Sequence, residues 1–230
     1  MPADSRRTPR APHEQYRLAD IPVDDAWVRK NNENLSEVRR LQWSSAILGV
    51  LVLAAGIGLL VYSGPATWGW MLSAVTTLFA LGCLAMTVYI PRKMGSMART
   101  YATSELVPAI VAEVRPRGVT LLALVDRAVD RSAGKLPTLA VRSVEKIPGH
   151  EARVGARVPC VAVVGNRNAR GGDNTYQFVS PMPVAWATPD TAVLRRLAEE
   201  IPAGEWERVR QSTDRVGEVS SQPTNLLPLD

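Results

Sequence analysis

The side chains best suited to catalysis or metal binding are few and scattered along this chain of 230 residues. Beyond the apolar region there is one histidine, His150, and no second His or Cys stands at ligand spacing from it. A tetrahedral metal site needs three or four such ligands. Cys160 follows Pro159 inside an apolar, strand-like run, which favours a buried and inert thiol over a reactive one. The sequence therefore predicts neither a metal site nor thiol chemistry.

Acidic pairs such as Asp126 and Asp130 leave an enzymatic interpretation open, because the sequence does not set their spatial relation. The alternative is that both acids lie at a solvated strand end. The chain has no Gly-x-Ser-x-Gly nucleophile elbow and no phosphate-binding glycine motif of the Gly-x-x-x-x-Gly-Lys or Gly-x-Gly-x-x-Gly type. We therefore predict a protein that is not an enzyme, with no catalytic residue and no bound cofactor or metal.

One polar loop is suited to ionic contacts. Residues 165–174 place Arg167 and Arg170 among Gly, Asn and Asp, between two apolar segments. Loops of this kind often carry binding residues. Arg167 and Arg170 therefore form a possible contact loop for an anionic group or a partner; the alternative is a long hairpin tip that only keeps the chain soluble.

The charge balance argues against nucleic acid as a partner. From Ser104 onward there are 16 basic and 15 acidic residues, a net charge of +1, so most of the +5 of the whole chain lies before that point. Nucleic-acid binding requires a strong basic surface and stacking aromatic residues. The same part of the chain has four aromatic residues, and Trp186 and Trp206 have the surroundings of core residues. We predict no nucleic-acid partner.

Two apolar runs without charged residues are each long enough to cross a membrane. Residues 44–63 and 68–90 contain no charged side chain and are separated by the four residues 64–67. About 20 helical residues cross the roughly 30 Å of a bilayer core. The runs therefore predict a two-helix transmembrane hairpin surrounded by membrane lipid. Small residues at helical spacing pack either within the hairpin or against another helix; they are Ala54, Gly58, Ser73, Thr77 and Ala80.

Basic residues flank both runs, whereas the loop between them has no charge. Positively charged flanks stay in the cytoplasm, and Trp and Tyr collect at both membrane interfaces. The pattern predicts a multi-pass protein of the plasma membrane with both termini in the cytoplasm. The predicted membrane-interface residues are Arg29, Lys30, Arg39, Arg40, Trp43, Tyr62, Trp68, Trp70, Tyr89, Arg92, Lys93 and Arg99.

The rest of the chain divides by composition. Residues 1–25 hold four prolines and few apolar residues, which predicts a flexible N-terminal tail. Residues 26–103 hold a juxtamembrane helix, the hairpin and a connector; residues 104–216 form a cytoplasmic β-rich domain; residues 217–230 form a C-terminal tail.

Within residues 104–216, five or six short runs rich in β-branched residues alternate with turn signals; they are 110–114, 119–125, 138–144, 158–164, 176–179 and 183–188. They predict a small antiparallel β-barrel of the OB or SH3 type. Two helices follow, the first beginning at Thr188-Pro189-Asp190, where a capping hydroxyl precedes a proline and an acid. The predicted fold class is an α+β membrane protein with a two-helix transmembrane hairpin, this barrel-like domain and two C-terminal helices.

Several short blocks between Leu106 and Val216 resemble an uncharacterised family of corynebacterial and related actinobacterial membrane proteins, classed as a domain of unknown function. The blocks are Leu106–Val114, Leu121–Asp126, Ile147–His150, Val154–Pro159 and Ser180–Asp190. The resemblance implies an actinobacterial protein of the plasma membrane. It implies no activity, cofactor or catalytic residue.

Two functions remain open from the sequence. The first is a membrane-anchored, non-enzymatic protein whose cytoplasmic domain binds another protein, as an accessory subunit of a membrane complex. The second is a module at the inner leaflet that binds lipid or a small anion, with headgroups at the membrane-flanking basic residues and an anionic ligand at Arg167 and Arg170.

Overall fold

The computed structural model describes residues 17–64, 67–94, 96–130, 134–165 and 175–229, with the side chains of residues 90–94 left out. The chain forms two units. Asn32–Met97 make up the hairpin unit, and the described residues up to Asn31 together with those from Ala98 onward make up the globular unit.

Two long antiparallel helices build the hairpin unit. Helix α2 spans Glu33–Ser63, and helix α3 spans Thr67–Met94. The side chain of Asn32 caps α2 by accepting a hydrogen bond from the Asn34 amide. Between the helices, the Ser73 hydroxyl donates to the Gly56 carbonyl oxygen over 3.0 Å, in a buried setting that satisfies a polar group away from water.

Both helices are long and apolar enough to cross a membrane, and only 11% of the most apolar stretch of each is buried. The core helix of a water-soluble protein would hide most of such a stretch. Apolar surface left in water is unfavourable in proportion to its area. The exposed faces of α2 and α3 are therefore compatible with a lipid environment.

Six antiparallel strands form the sheet of the globular unit, in the order β5-β4-β1-β2-β3-β6. The strands are β1 (Glu105–Arg115), β2 (Gly118–Asp126), β3 (Pro137–Val144), β4 (Arg157–Val164), β5 (Val179–Pro183) and β6 (Leu226–Pro228). The first four confirm strands that the sequence predicts. The run predicted as a strand from Pro183 is instead a 3-10 turn, Val184–Trp186.

The sheet curls into a half-barrel. A register shift between Val111 and Glu113 marks a β-bulge in β1, and bulges increase the local twist of a sheet. On the concave side, Arg142 of β3 donates to the Ser180 hydroxyl of β5 over 3.2 Å, although three strands separate β3 from β5 in the sheet. The antiparallel, curled sheet thus agrees with the prediction, as an open half-barrel with β5 and β6 as its edges.

Two C-terminal helices are predicted, and residues 175–229 of the structure hold three, followed by β6. They are α5 (Thr191–Glu200), α6 (Ala203–Gln211) and α7 (Val216–Ser220), after the short helix α4 (Met97–Thr103) that precedes β1. Asp190, rather than Thr188, caps α5, because its carboxylate accepts from the amides of Ala192 and Val193. The region predicted as a C-terminal tail contains α7 and β6, because Val219 and Leu226 are buried in the core.

Residues 17–24, predicted as part of a flexible tail, instead run along the globular unit. Ala19 and Ile21 are buried in its core, and the Asp24 amide donates to the Ala187 carbonyl oxygen over 2.9 Å. Helix α1 (Asp25–Asn31) follows and ends before Asn32, so it is separate from the first long helix.

Two further contacts fix this segment and the helix α1 that follows it. The Arg17 guanidinium forms a bidentate ion pair with Glu205 of α6, at 2.7 and 3.0 Å, and the Trp27 indole donates to the Ala185 carbonyl oxygen over 3.0 Å. We call residues 17–24 the docked segment. Its contacts reach residues 89 to 188 positions away along the chain, which explains why no local pattern predicts its order.

Candidate functional site

The two most deeply buried ionisable side chains among the described residues of the globular unit, Cys160 and Tyr101, stay protonated at neutral pH. Burial raises the pKa of the Cys160 thiol far above its usual range, and Arg142 opposes this only in part. Burial likewise raises the pKa of Tyr101, whose hydroxyl donates to the Pro183 carbonyl oxygen over 3.0 Å. The thiolate is the reactive form of cysteine. Cys160 therefore stays protonated and inert at neutral pH, as the sequence predicts.

The remaining candidates for chemistry do not come together. His150 lies half-buried with its Nδ1 atom 3.3 Å from the Pro148 carbonyl oxygen. Asp126 ends β2, and its Oδ1 atom accepts from the amides of Ala128 and Leu136 at 2.9 and 3.0 Å. It therefore shapes the loop after β2. Among the described residues no group of three or more His, Cys, Asp or Glu is placed to hold a metal ion.

A concave surface of the globular unit lies at one end of the half-barrel, where β1 begins and β2 and β4 end. Two short pairings close its rim. Leu18 of the docked segment bridges to Glu105 of β1, and Ala128 bridges to Thr175. Helix α4 adds its last turn to the wall. We call this surface the barrel-end cleft; its cavity volume is about 380 Å³.

The lining of the barrel-end cleft is divided between apolar and polar groups. The apolar side is formed by Leu18, Ala128, Ala162, Val163 and Val164. Leu18 is 55% exposed and Val164 44% exposed, so two large apolar side chains reach solvent at the rim. Large apolar side chains held at a concave rim are typical of a binding surface rather than of a solvated one.

The polar side of the barrel-end cleft carries hydroxyl groups and carboxylates. They belong to Thr100, Thr103, Ser104, Tyr176, Glu105 and Asp126. Within the described part of the chain, the lining includes no Lys or Arg. Glu105 and Asp126 also line a neighbouring concave surface together with Lys135 and Arg208.

The predicted membrane-interface residues lie on solvent-accessible faces wherever their side chains are described. In the hairpin unit, Trp43, Tyr62, Trp68, Trp70 and Tyr89 are all more than half exposed. Arg39 and Arg40 are exposed on the first turns of α2, and Arg29, Lys30 and Arg99 are exposed in the globular unit. The side chains of Arg92 and Lys93 lie outside the described residues, and so do residues 166–174 of the predicted contact loop, which include Arg167 and Arg170.

The small residues of the hairpin divide between two faces. Ser73 and Ala80 are buried between α2 and α3, together with Gly49 and Gly56. Ala54 and Gly58 are exposed, and nothing lies within 4 Å of a side-chain carbon added at Gly58. Part of the small-residue pattern therefore serves the hairpin itself.

Sequence reasoning misses the barrel-end cleft because it is built from five separated segments. Of the residues that line the cleft, the sequence analysis considers only Asp126, as one member of an acidic pair with Asp130. The exposed Leu18 gives a weak signal, as an apolar residue in an otherwise polar N-terminal region. Val164, on the same lining, is the last residue of a strand and carries no signal of its own.

The comparisons with known proteins match the same part of the chain as the blocks that carry the resemblance. The family described as "Protein of unknown function (DUF3239)" matches residues 92–217, more than half of the chain. The chain belongs to this family. No curated protein matches the chain.

This DUF3239 protein is also similar to a solved structure. The crystal structure of a predicted membrane protein from Corynebacterium diphtheriae is 39% identical, with a TM-score of 0.52. The match covers 54% of this chain and 100% of that chain. The predicted membership of a corynebacterial family is thereby confirmed, and this neighbour together with the two long apolar helices indicates association with a membrane.

Proposed function

We propose that this DUF3239 protein is a membrane-anchored, non-enzymatic protein whose globular unit binds another protein, as an accessory subunit of a membrane complex. The observation that carries the proposal is the barrel-end cleft, where exposed Leu18 and Val164 stand beside polar and acidic groups. A concave surface of mixed character suits a protein segment, whose side chains and backbone are mixed in the same way.

The roles of three other polar groups in the globular unit support the proposal. The buried thiol of Cys160 and the hydroxyl of Tyr101 hold their protons, and the carboxylate of Asp126 holds a loop. Each of these groups has a structural task.

We assign both termini to the cytoplasm and the protein to the plasma membrane, with two spans. Residues up to Asn31 and from Ala98 onward belong to one unit, so the chain leaves that unit before the hairpin and returns to it afterwards. An even number of spans fits this path. Exposed Arg39 and Arg40 before the first apolar run, and Arg99 after the second, support the cytoplasmic side.

Site-specific photocross-linking in the native membrane tests the proposal. A photoreactive amino acid is placed at Leu18 or Val164, and a matched control at Val114, an equally exposed valine (49%) toward the far end of β1. We expect one discrete cross-linked protein from both cleft positions and none from Val114. Cross-links to lipid alone, or no cross-link from either cleft position, would contradict the proposal.

A further inference from the structure

We infer that the separated ends of β1 and β2 form a binding slot for an extended peptide, and that the chain fills this slot with its own docked segment as a releasable ligand. The ligand class is an arginine followed by apolar residues at every second position. The assignment goes beyond the proposed function, because it names a ligand that the chain itself supplies.

Strands β1 and β2 separate at Pro108. Backbone pairing between them begins at Ala109 and Ala123. On the open side of that pair, Glu105–Pro108 pair with β4, and Leu124–Asp126 pair with β3. Proline has no amide hydrogen to donate to a neighbouring strand, so the ladder between β1 and β2 stops there. We call the space between the two separated strand ends the strand slot.

The docked segment binds the backbone of β1 in the strand slot. The Leu106 amide donates to the Arg17 carbonyl oxygen over 2.7 Å, and the Leu106 carbonyl oxygen accepts from the Arg17 guanidinium over 3.2 Å. Leu18 and Glu105 form an antiparallel bridge beside this contact. The N-terminal segment therefore binds to β1 in the manner of a peptide added to the edge of a sheet.

The side chains of the docked segment show which peptides the strand slot accepts. Ala19 and Ile21 are buried, at 5% and 8% exposure, whereas the residues on either side of each of them are more exposed. This period of two is that of a β-strand. At the start of the segment, Arg17 forms its bidentate pair with Glu205 of α6. The slot thus selects an arginine, then a small and a branched apolar residue at alternate positions.

The docked segment is held less firmly than the strands around it. It exposes every second residue, whereas Leu106–Ala112 of β1 are buried without interruption. A segment with few buried apolar side chains opens at a lower free energy than the core of its domain. The docked segment therefore leaves the strand slot while the globular unit stays folded.

Two variants of the full-length protein in phosphatidylcholine nanodiscs test the slot with peptides. Ile21→Asp weakens the docked segment and leaves the slot unchanged, whereas Glu205→Arg places a like charge against Arg17. The probes are fluorescent peptides with the sequence of residues 17–24, one with the native arginine at its first position and one with glutamate there. In the wild type the tethered segment competes at an effective concentration on the order of millimolar, so neither peptide should bind measurably.

The two variants should prefer opposite peptides. We expect the Ile21→Asp protein to bind the arginine peptide at least about tenfold more tightly than the glutamate peptide, and the Glu205→Arg protein to show the reverse order. Glu199→Arg makes the same charge reversal at an exposed position of α5 and should bind neither peptide. Equal affinity of either variant for the two peptides, or no binding by a variant that still unfolds cooperatively in urea, would overturn the assignment.

Thiol labelling tests release in a protein whose slot and ion pair are intact. In a chain with Cys83 replaced by Ala, Ala19→Cys places a thiol in the docked segment, and the buried Cys160 reports global unfolding of the same molecule. We expect a maleimide to react with the thiol introduced at Ala19 at least about tenfold faster than with Cys160, because local opening exposes only the former. Equal rates would show that the segment leaves only when the whole domain unfolds, and would overturn the assignment even where the two peptide-binding variants fail to fold.

Discussion

The guanidinium carbon of Arg142 lies 5.0 Å from the centroid of the Trp186 ring. The same side chain donates to the Ser180 hydroxyl across the concave side of the sheet. Trp186 is fully buried, and its indole donates to the Lys146 carbonyl oxygen over 2.8 Å. The half-buried Arg142 of β3 therefore contacts both β5 and the 3-10 turn that follows β5. The backbone hydrogen bonds of the sheet do not join β3 to β5, because the two strands are not neighbours.

Replacing Arg142 with Met should loosen the half-barrel, because Met keeps the length of the side chain but loses its charge and its hydrogen bonds. Hydrogen bonds from charged groups contribute about 1.5–3 kcal/mol and a cation over an aromatic ring about 1 kcal/mol. We expect the free energy of unfolding to fall by about 2 kcal/mol, measured by urea unfolding in mild detergent. Amide exchange at Ser180 and Met182 should accelerate.

Arg115→Met is the matched control for that prediction. Arg115 is an arginine on a strand of the same sheet, but it is nearly half exposed and pairs with Glu113 on its own strand. Exposed pairs contribute little to stability, so the control should lose less than about 0.5 kcal/mol. Equal losses in both variants would show that Arg142 has no special role in joining the two sides.

Stability of the globular unit should decline in alkali. Burial raises the pKa values of Cys160 and Tyr101, so the folded chain keeps two protons that the unfolded chain releases above about pH 9. The folded state then binds more protons than the unfolded state, and the free energy of unfolding falls as pH rises. Each group contributes up to about 1.4 kcal/mol per pH unit.

Cys160→Ala should reduce this alkaline slope, because one of the two groups is gone. The measurement is the free energy of unfolding from urea titrations between about pH 7 and pH 10. The substitution also removes a sulfur from the core and so lowers stability at every pH. The slope, rather than the absolute value, is therefore the quantity to compare, and an unchanged slope would contradict the assignment to Cys160.

The docked segment should open more often when its ion pair is removed. Arg17 and Glu205 are 25% and 29% exposed, so their bidentate pair is better shielded than a surface pair and contributes about 1 kcal/mol. Arg17→Gln should accelerate amide exchange about fivefold at Leu106 and Asp24, whose amides bond across this interface. Arg210→Gln, which breaks an exposed pair within α6, should leave that exchange unchanged.

How far the sequence predicts this fold depends on how local each signal is. An uncharged run long enough to span a bilayer can be recognised from its own residues alone. The same holds for the turn at Gly118, whose φ of 99° lies in the left-handed region that suits glycine. The docked segment gives no such signal, because Arg17 meets Glu205 at a distance of 188 residues along the chain. The barrel-end cleft depends on that same long-range docking through Leu18, and so it too escapes a sequence pattern.

The proposed topology predicts which positions a membrane-impermeant maleimide reaches in intact cells. In a background with Cys83 and Cys160 replaced by Ala, a cysteine at Gly64, in the turn between the long helices, should be labelled from outside. A cysteine at Asp20 or Ser221, both exposed in the globular unit, should be labelled only after the cells are permeabilised. Labelling of Asp20→Cys in intact cells would reverse the orientation.

Two glycines on the same helix should respond differently to a larger side chain. A side-chain carbon at Gly56 would lie 2.6 Å from the Thr76 hydroxyl oxygen, whereas the position of Gly58 is open. Gly56→Val should force α2 away from α3 and break the bond from Ser73 to the Gly56 carbonyl, costing about 1–3 kcal/mol of hairpin stability. The loss is measured as a lower SDS concentration at which the two helices separate. Gly58→Val presents the same side chain and should leave that midpoint unchanged; a shift at Gly58 alone would mean that the exposed face, rather than the interior of the hairpin, carries the contact.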